Sequence, residues 1–158
     1  MKVGGAQITL KARAVRWLSL REHSRKELER KLAAYSQDPQ EVENVLMDLE
    51  KEGWQSDQRF VEAFESSKSQ RHGSRLIADS LRERGIDEHL IRESMQRLKE
   101  SEEQRAWQVW QKKFASTGMP SDAKEYARQA RFLASRGFDA AVVRKVLSGK
   151  FQPDDIGL

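Results

Sequence analysis

The side chains here that could do chemistry are three histidines, 25 carboxylates and 29 lysines and arginines, with no cysteine. Disulfides and thiolate metal sites are therefore excluded. His23, His72 and His89 share no metal-ligand spacing, and no carboxylate stands where it would complete a site with any of them. Acidic pairs such as Glu102-Glu103 fall at expected helix starts, where negative charge offsets the helix dipole. The chain has no phosphate loop, no glycine-rich cradle and no nucleophile elbow. Neither catalysis nor a cofactor is expected.

Cations are the remaining functional constellation. Residues 11–32 carry eight Lys/Arg against three acids, while residues 38–52 carry one Lys against six acids. Residues 121–150 carry seven Lys/Arg against three acids. The net charge of +4 and a sequence pI near 9.4 permit a nucleic acid or an acidic protein as partner. Arg13, Arg16 and Arg21 precede a first group of candidate contacts: Arg25, Lys26, Arg30 and Lys31. Lys68, Arg71, Arg75, Arg82 and Arg84 form the middle group, and Arg128, Arg131, Arg136, Arg144 and Lys145 the last. Many are spaced i, i+3 or i+4 and so share helix faces. Such patches in a row could follow a phosphate backbone or face an acidic protein surface. Ordinary solvated helix faces would look the same.

These cations need elements to carry them, and the apolar spacing supplies helices. Val42, Val45, Leu46 and Leu49 form an i, i+3, i+4, i+7 stripe, and Ile91, Met95 and Leu98 repeat it. Trp107, Trp110 and Phe114 do the same, and their simplest role is core packing. Ser24-x-x-Glu27, Ser101-x-x-Gln104 and Asp122-x-x-Glu125 read as capping boxes. Gly53, Gly85, Gly137 and Gly149 stand where helices should end. Nine helices are predicted, over 11–21, 24–35, 39–52, 57–71, 74–84, 87–99, 102–116, 122–136 and 139–148. With 37% hydrophobic and 34% charged residues, the chain suits a high surface-to-volume body better than one thick core. Four Trp, six Phe and two Tyr argue against disorder. No stretch approaches the roughly 18 apolar residues of a membrane span, and no signal-peptide region opens the chain. A cytoplasmic monomer is expected.

The helices repeat in register. Leu32, Leu81 and Leu133 are each followed six residues later by Asp38, Asp87 and Asp139. Four residues on come Val42, Ile91 and Val143, and four more bring Leu46, Met95 and Leu147. The leucine closes a second helix on its buried face, and the Asp caps a third. Gly85-Ile86-Asp87 and Gly137-Phe138-Asp139 share a sharp corner, where copy one has Ser36-Gln37-Asp38. The pattern predicts an all-α fold, an elongated curved array of three tandem three-helix, helix-turn-helix-like repeats. The expected bounds are 11–53, 54–100 and 101–149, with tails at 1–10 and 150–158.

Three segments carry a family resemblance. Ser24-Arg25-Lys26-Glu27-Leu28-Glu29-Arg30-Lys31-Leu32 reads as S-x-x-E-L-x-x-K-L. Gly53-Trp54-Gln55-Ser56-Asp57-Gln58-Arg59-Phe60 resembles G-[YW]-x-[DS]-D-x-[RA]-F. His72-Gly73-Ser74-Arg75-Leu76-Ile77, leading to Leu81-Arg82-Glu83-Arg84-Gly85-Ile86, resembles G-x-x-R-I-x-x-E-L-x-x-K-G-I. In this order they resemble the RecX family of bacterial recombinase regulators, over about residues 11–148. Leu76 stands where the family tends to have Arg, and Ser80 where it tends to have Glu. The resemblance implies a non-enzymatic modulator, usually an inhibitor, of the RecA recombinase in DNA repair, recombination and the SOS response. It implies docking in the groove of the RecA–DNA filament, with single- or double-stranded DNA met directly or through RecA. The competing expectation is a sequence-independent DNA-binding repeat protein that acts without RecA.

Overall fold

In a computed structural model, which describes residues 7–151 and Pro153, the chain is all-helical, with nine α-helices among the described residues. They are α1 (Leu10–Leu20), α2 (Arg25–Ala33), α3 (Pro39–Lys51), α4 (Asp57–Lys68), α5 (Ser74–Glu83), α6 (Glu88–Lys99), α7 (Glu102–Phe114), α8 (Ala123–Ser135) and α9 (Ala140–Leu147). Each falls where the apolar stripes predict one. The helices group by threes, and each group has its own core.

Leu28, Leu32, Val42, Leu46 and Leu49 pack with Ala14 in the first unit. Phe60, Val61, Ile77, Leu81, Ile91 and Leu98 make the second core. Ala106, Trp110, Phe114, Leu133, Val143 and Val146 make the third. The three anchor leucines, Leu32, Leu81 and Leu133, are each fully buried. Burying such a side chain contributes roughly 1.5–3 kcal/mol.

The caps follow the register. Asp38, Asp87 and Asp139 accept from the backbone N–H of Gln40, His89 and Val142, starting α3, α6 and α9. Ser24 and Glu27 form a complete reciprocal capping box. Ser101 departs from the capping box expected there. Its side chain makes no cap bond; Ser101 Oγ instead donates to Leu98 O and accepts from Arg105 Nε. Asp122 caps α8 through Glu125 N, but Glu125 turns to Arg128 and Gln129 rather than back to the cap. Gly85 and Gly137 take φ of +73° and +92°, which lets the following Ile86 and Phe138 turn into the core.

The units are joined by one geometry used twice. The start of each second helix docks on the end of the next unit's second helix. At the first joint, Ser24 Oγ donates to Arg84 O at 2.8 Å and Arg30 donates to Glu83 O at 3.1 Å. At the second, Gly73 N donates to Arg136 O at 2.6 Å and Arg75 N donates to Gly137 O at 3.2 Å. Arg84 and Arg136 hold the same place in the register, each three residues after an anchor leucine. A carboxylate seals each joint. Arg25 N donates to Asp57 Oδ1 at 2.8 Å, and Ser74 N donates to Glu102 Oε1 at 3.0 Å. Both donors open a second helix, and both acceptors open the next unit's first helix. Each carboxylate thus satisfies an N–H left orphaned by helix geometry. Neither end of the row repeats this joint. Ser36 replaces the corner glycine in copy one, and α8 starts about a turn early relative to Leu133.

Candidate interface: a basic trough with aromatic walls

The fourteen cations singled out from the sequence meet three fates. Arg25 bonds Glu43 at 2.6 Å and lies 3.7 Å from Glu50. Lys26 lies 3.7 Å from Glu29, and its stem packs under Gly85. Arg82 bonds Glu88 at 2.6 Å and Asp79 at 3.1 Å; Arg128 bonds Glu125 and Lys145 bonds Glu103, each at 2.8 Å. These five charges are locally compensated. The bond to Glu43 raises the Arg25 pKa above the ordinary guanidinium value, and the same bond lowers that of Glu43. Arg30 and Arg75 hold backbone carbonyls across the joints, Arg75 donating to Ala134 O at 3.0 Å.

Lys31, Lys68, Arg71, Arg84, Arg131, Arg136 and Arg144 have no carboxylate partner among the described residues. Several rest on aromatic rings. Lys31 Nζ lies 4.7 Å from the centroid of Trp17, which packs on Tyr35 beneath Arg13. Arg84 lies 4.9 Å and Lys68 5.9 Å from the centroid of Phe64. Arg136 lies 5.1 Å and Lys113 5.6 Å from the centroid of Phe132. Each unit therefore carries a cation–aromatic cluster. A ring face attracts a cation through its quadrupole while leaving the charge open to an anion.

Around the second joint these charges converge. A cleft of about 650 Å³ is lined by Gln70, Arg71, Gln108, Val109, Gln111, Lys112, Lys113, Phe132 and Arg136. Among the described residues, no carboxylate lines it. A smaller cavity of about 180 Å³ holds Lys68, His72 and Arg84 on its wall, again without a carboxylate among the described residues. His72 stands on the wall of the smaller cavity. Burial lowers its pKa, and Arg136, Lys68 and Arg71 lower it further, so the ring resists adding to the positive charge around it. A third cavity, of about 490 Å³ at the first joint, shares Phe64, Lys68 and Arg84 and includes Arg21. Its two carboxylates are already engaged, Glu27 with Arg21 and Glu22 with Arg59.

His23 is buried near that joint. Its Nδ1 faces Arg21 O at 3.0 Å, and Lys31 Nζ lies 3.2 Å from Nε2. Burial lowers its pKa, with Arg21 and Lys31 adding to the shift, so this imidazole favours the neutral state with Nε2 as acceptor. Among the described residues, no three His, Asp or Glu side chains gather as metal ligands, and no helix is long and apolar enough to cross a membrane.

Sequence reasoning overlooked Lys112, Lys113 and the ring of Phe132. The signal lay in the register: Arg136 repeats Arg84, so the same joint recurs, and Lys112-Lys113 end the helix that borders it.

Comparisons with known proteins match this architecture unit by unit. Family models described as the first, second and third three-helix domains of RecX match residues 11–49, 56–95 and 100–147. A regulatory protein RecX of Chromobacterium violaceum is 44% identical over 146 residues, which is 92% of this chain and 93% of the relative. A regulatory protein RecX of Neisseria meningitidis is 45% identical over 141 residues, 89% of this chain and 90% of the relative. The crystal structure of RecX from Lactobacillus salivarius superposes with a TM-score of 0.75 at 16% identity, covering 89% of this chain and 93% of that one.

Proposed function

The chain belongs to the RecX family of regulatory proteins, with family models matching all three of its units, and we propose that it regulates the RecA recombinase by docking along the RecA–DNA filament and slowing it. The observation that carries this reading is a row of three units with repeated joints, bearing cations that no carboxylate among the described residues neutralises. Such a row offers a long surface with fixed spacing, which suits a repeating partner better than a small molecule. The compensated cations are neutralised within their own units, and the uncompensated ones are left to meet an anionic partner.

The mechanism is differential binding. A ligand shifts an equilibrium only by the difference between its affinities for the two states. A tenfold preference for one filament state is worth about 1.4 kcal/mol, enough to change assembly, ATP turnover and strand exchange. The acidic segment around α3 turns away from DNA or meets basic loops of the recombinase.

The test is RecA-driven ATP hydrolysis on single-stranded DNA with this protein titrated in. The expected result is a rate that falls as the protein approaches stoichiometric amounts. An unchanged rate would sink the proposal.

A further inference from the structure

We propose that the two joints are acid-sensitive hinges: His23 and His72, one at each joint, let the units stay clasped while neutral and part when protonated, before any unit unfolds. The inference stands whether or not the chain acts on RecA.

Three observations carry it. First, the histidines recur in register. Each lies nine residues before its unit's anchor leucine, Leu32 or Leu81, and immediately before the cap residue of a second helix. Lys124 has that place in the third unit, whose second helix makes no such joint among the described residues.

Second, each histidine belongs to the same cross-unit clasp. Gln55 Nε2 donates to His23 O at 3.4 Å and to Asp57 Oδ1 at 2.8 Å, and Asp57 Oδ1 accepts from Arg25 N. Arg105 donates to His72 O at 2.8 Å and to Glu102 Oε2 at 3.2 Å, and Glu102 Oε1 accepts from Ser74 N. In both clasps the next unit grips the histidine carbonyl with a buried polar side chain, and the N–H two residues on with a carboxylate.

Third, the rings stand where a proton is poorly held while the clasp is closed. His23 is 2% exposed, and its Nε2 faces Lys31 Nζ at 3.2 Å. A charged ring there would set a second cation against that ammonium. Arg21 adds to the repulsion; Glu27 opposes it but is engaged by Arg21 at 2.7 Å. His72 is half-buried and faces Arg136, Lys68 and Arg71, with Arg84 on the same cavity wall and Arg105 on its carbonyl. Arg136 belongs to the next unit, and its carbonyl accepts from Gly73 N, so a charged His72 repels the segment it is joined to.

Burial leads the causes that lower both histidine pKa values. The open joint therefore takes up a proton that the closed joint refuses. Closed joints are fully stable above the ordinary histidine value near 6.5 and lose stability as pH falls below it, by a factor approaching tenfold per pH unit for each ring. The three apolar cores are separate, so the units outlast the joints.

The test is amide hydrogen exchange followed by NMR at pH 7.5, 6.5 and 5.5, corrected for the intrinsic pH dependence of exchange. This range stays above the ordinary carboxylate values near 4. The joint amides of Arg25, Gly73, Ser74 and Arg75 are compared with those of Leu46 and Leu133 inside helices. The proteins are the wild-type chain, His23→Gln, His72→Gln and, as a control, His89→Gln, whose ring is 68% exposed beside Glu93. Glutamine keeps an acceptor for Lys31 but takes up no proton. Wild-type protection at the joint amides is expected to fall about tenfold from pH 7.5 to 5.5, while Leu46 and Leu133 hold. His23→Gln should abolish the fall at Arg25 alone, His72→Gln the fall at Gly73, Ser74 and Arg75 alone, and His89→Gln neither. Constant protection at the wild-type joints overturns the proposal. So does a fall at Leu46 and Leu133 in step with the joints, which would be unfolding of whole units. A fall that persists in the glutamine variants would assign the response to the carboxylates and also overturn it. Circular dichroism checks that each variant is folded, and His→Asn at the same position replaces any that is not; the two wild-type outcomes need no variant.

Discussion

Arg105 uses every N–H its guanidinium has. It donates to Ser101 Oγ, to the carbonyls of Ser69, His72 and Leu98, and to Glu102 at 3.2 Å. The side chains of Arg105 and Glu102 are 8% and 5% exposed. Burial lowers the arginine's pKa, and Glu102 works against that shift. Glu102 also receives Ser74 N, so one buried pair ties α4, α5, α6 and α7 at the second joint. Losing one partner of such a pair leaves an uncompensated charge or orphaned carbonyls. Arg105→Met is therefore expected to lower the unfolding free energy by about 3–5 kcal/mol, read from urea titration. A loss under about 1 kcal/mol would show that water reaches these carbonyls. The sequence marks Glu102 only as dipole compensation at a helix start, because its burial is created by the ends of α4, α5 and α6 converging on it. The same limit applies to the basic residues. Arg128 with Glu125 and Arg82 with Asp79 are i, i+3 pairs, legible from spacing. Arg25 with Glu43 and Lys145 with Glu103 cross between helices, and no local pattern announces them.

At the scale of elements, the glycine corners separate backbone strain from joint packing. Gly53 and Gly137 have φ of +80° and +92°, so alanine is strained at both. A Cβ on Gly53 meets nothing within 4 Å, whereas on Gly137 it would stand 2.5 Å from Leu76 Cβ and 2.7 Å from Leu76 N. Gly53→Ala is expected to lose about 1 kcal/mol of stability. Gly137→Ala should lose clearly more, by thermal or urea unfolding, because the second joint must open to admit the methyl group. Equal losses would mean that the joint contributes little. Leu76, which stands where the related family tends to have Arg, packs against this corner. Helices were the most legible level: apolar stripes, Asp caps and glycine corners located all nine. Ser101 misled because its hydroxyl has a better acceptor in Leu98 O and a donor in Arg105. The joints were not legible, since Asp57 and Glu102 look like ordinary first-turn acids until the preceding unit is laid against them.

Over the whole molecule, the repeated joint turns a register in the sequence into a register in space. Leu32, Leu81 and Leu133 set the units, and Ser24 with Arg84 and Gly73 with Arg136 set their spacing. Charge divides accordingly. One set of cations is compensated within its own unit; of the other set, Lys68, Arg71, Arg84 and Arg136 line cavities at the joints. That division gives the account its central claim, that the uncompensated cations and not the ion-paired ones do the regulating. Two triple variants of equal charge change test it most directly: Lys68→Glu/Arg71→Glu/Arg136→Glu and Arg82→Glu/Arg128→Glu/Lys145→Glu. Each is added to RecA hydrolysing ATP on single-stranded DNA. The first is expected to lose the slowing proposed for the wild-type chain, and the second to keep nearly all of it. Equal loss from both, or loss from the second alone, would contradict the account.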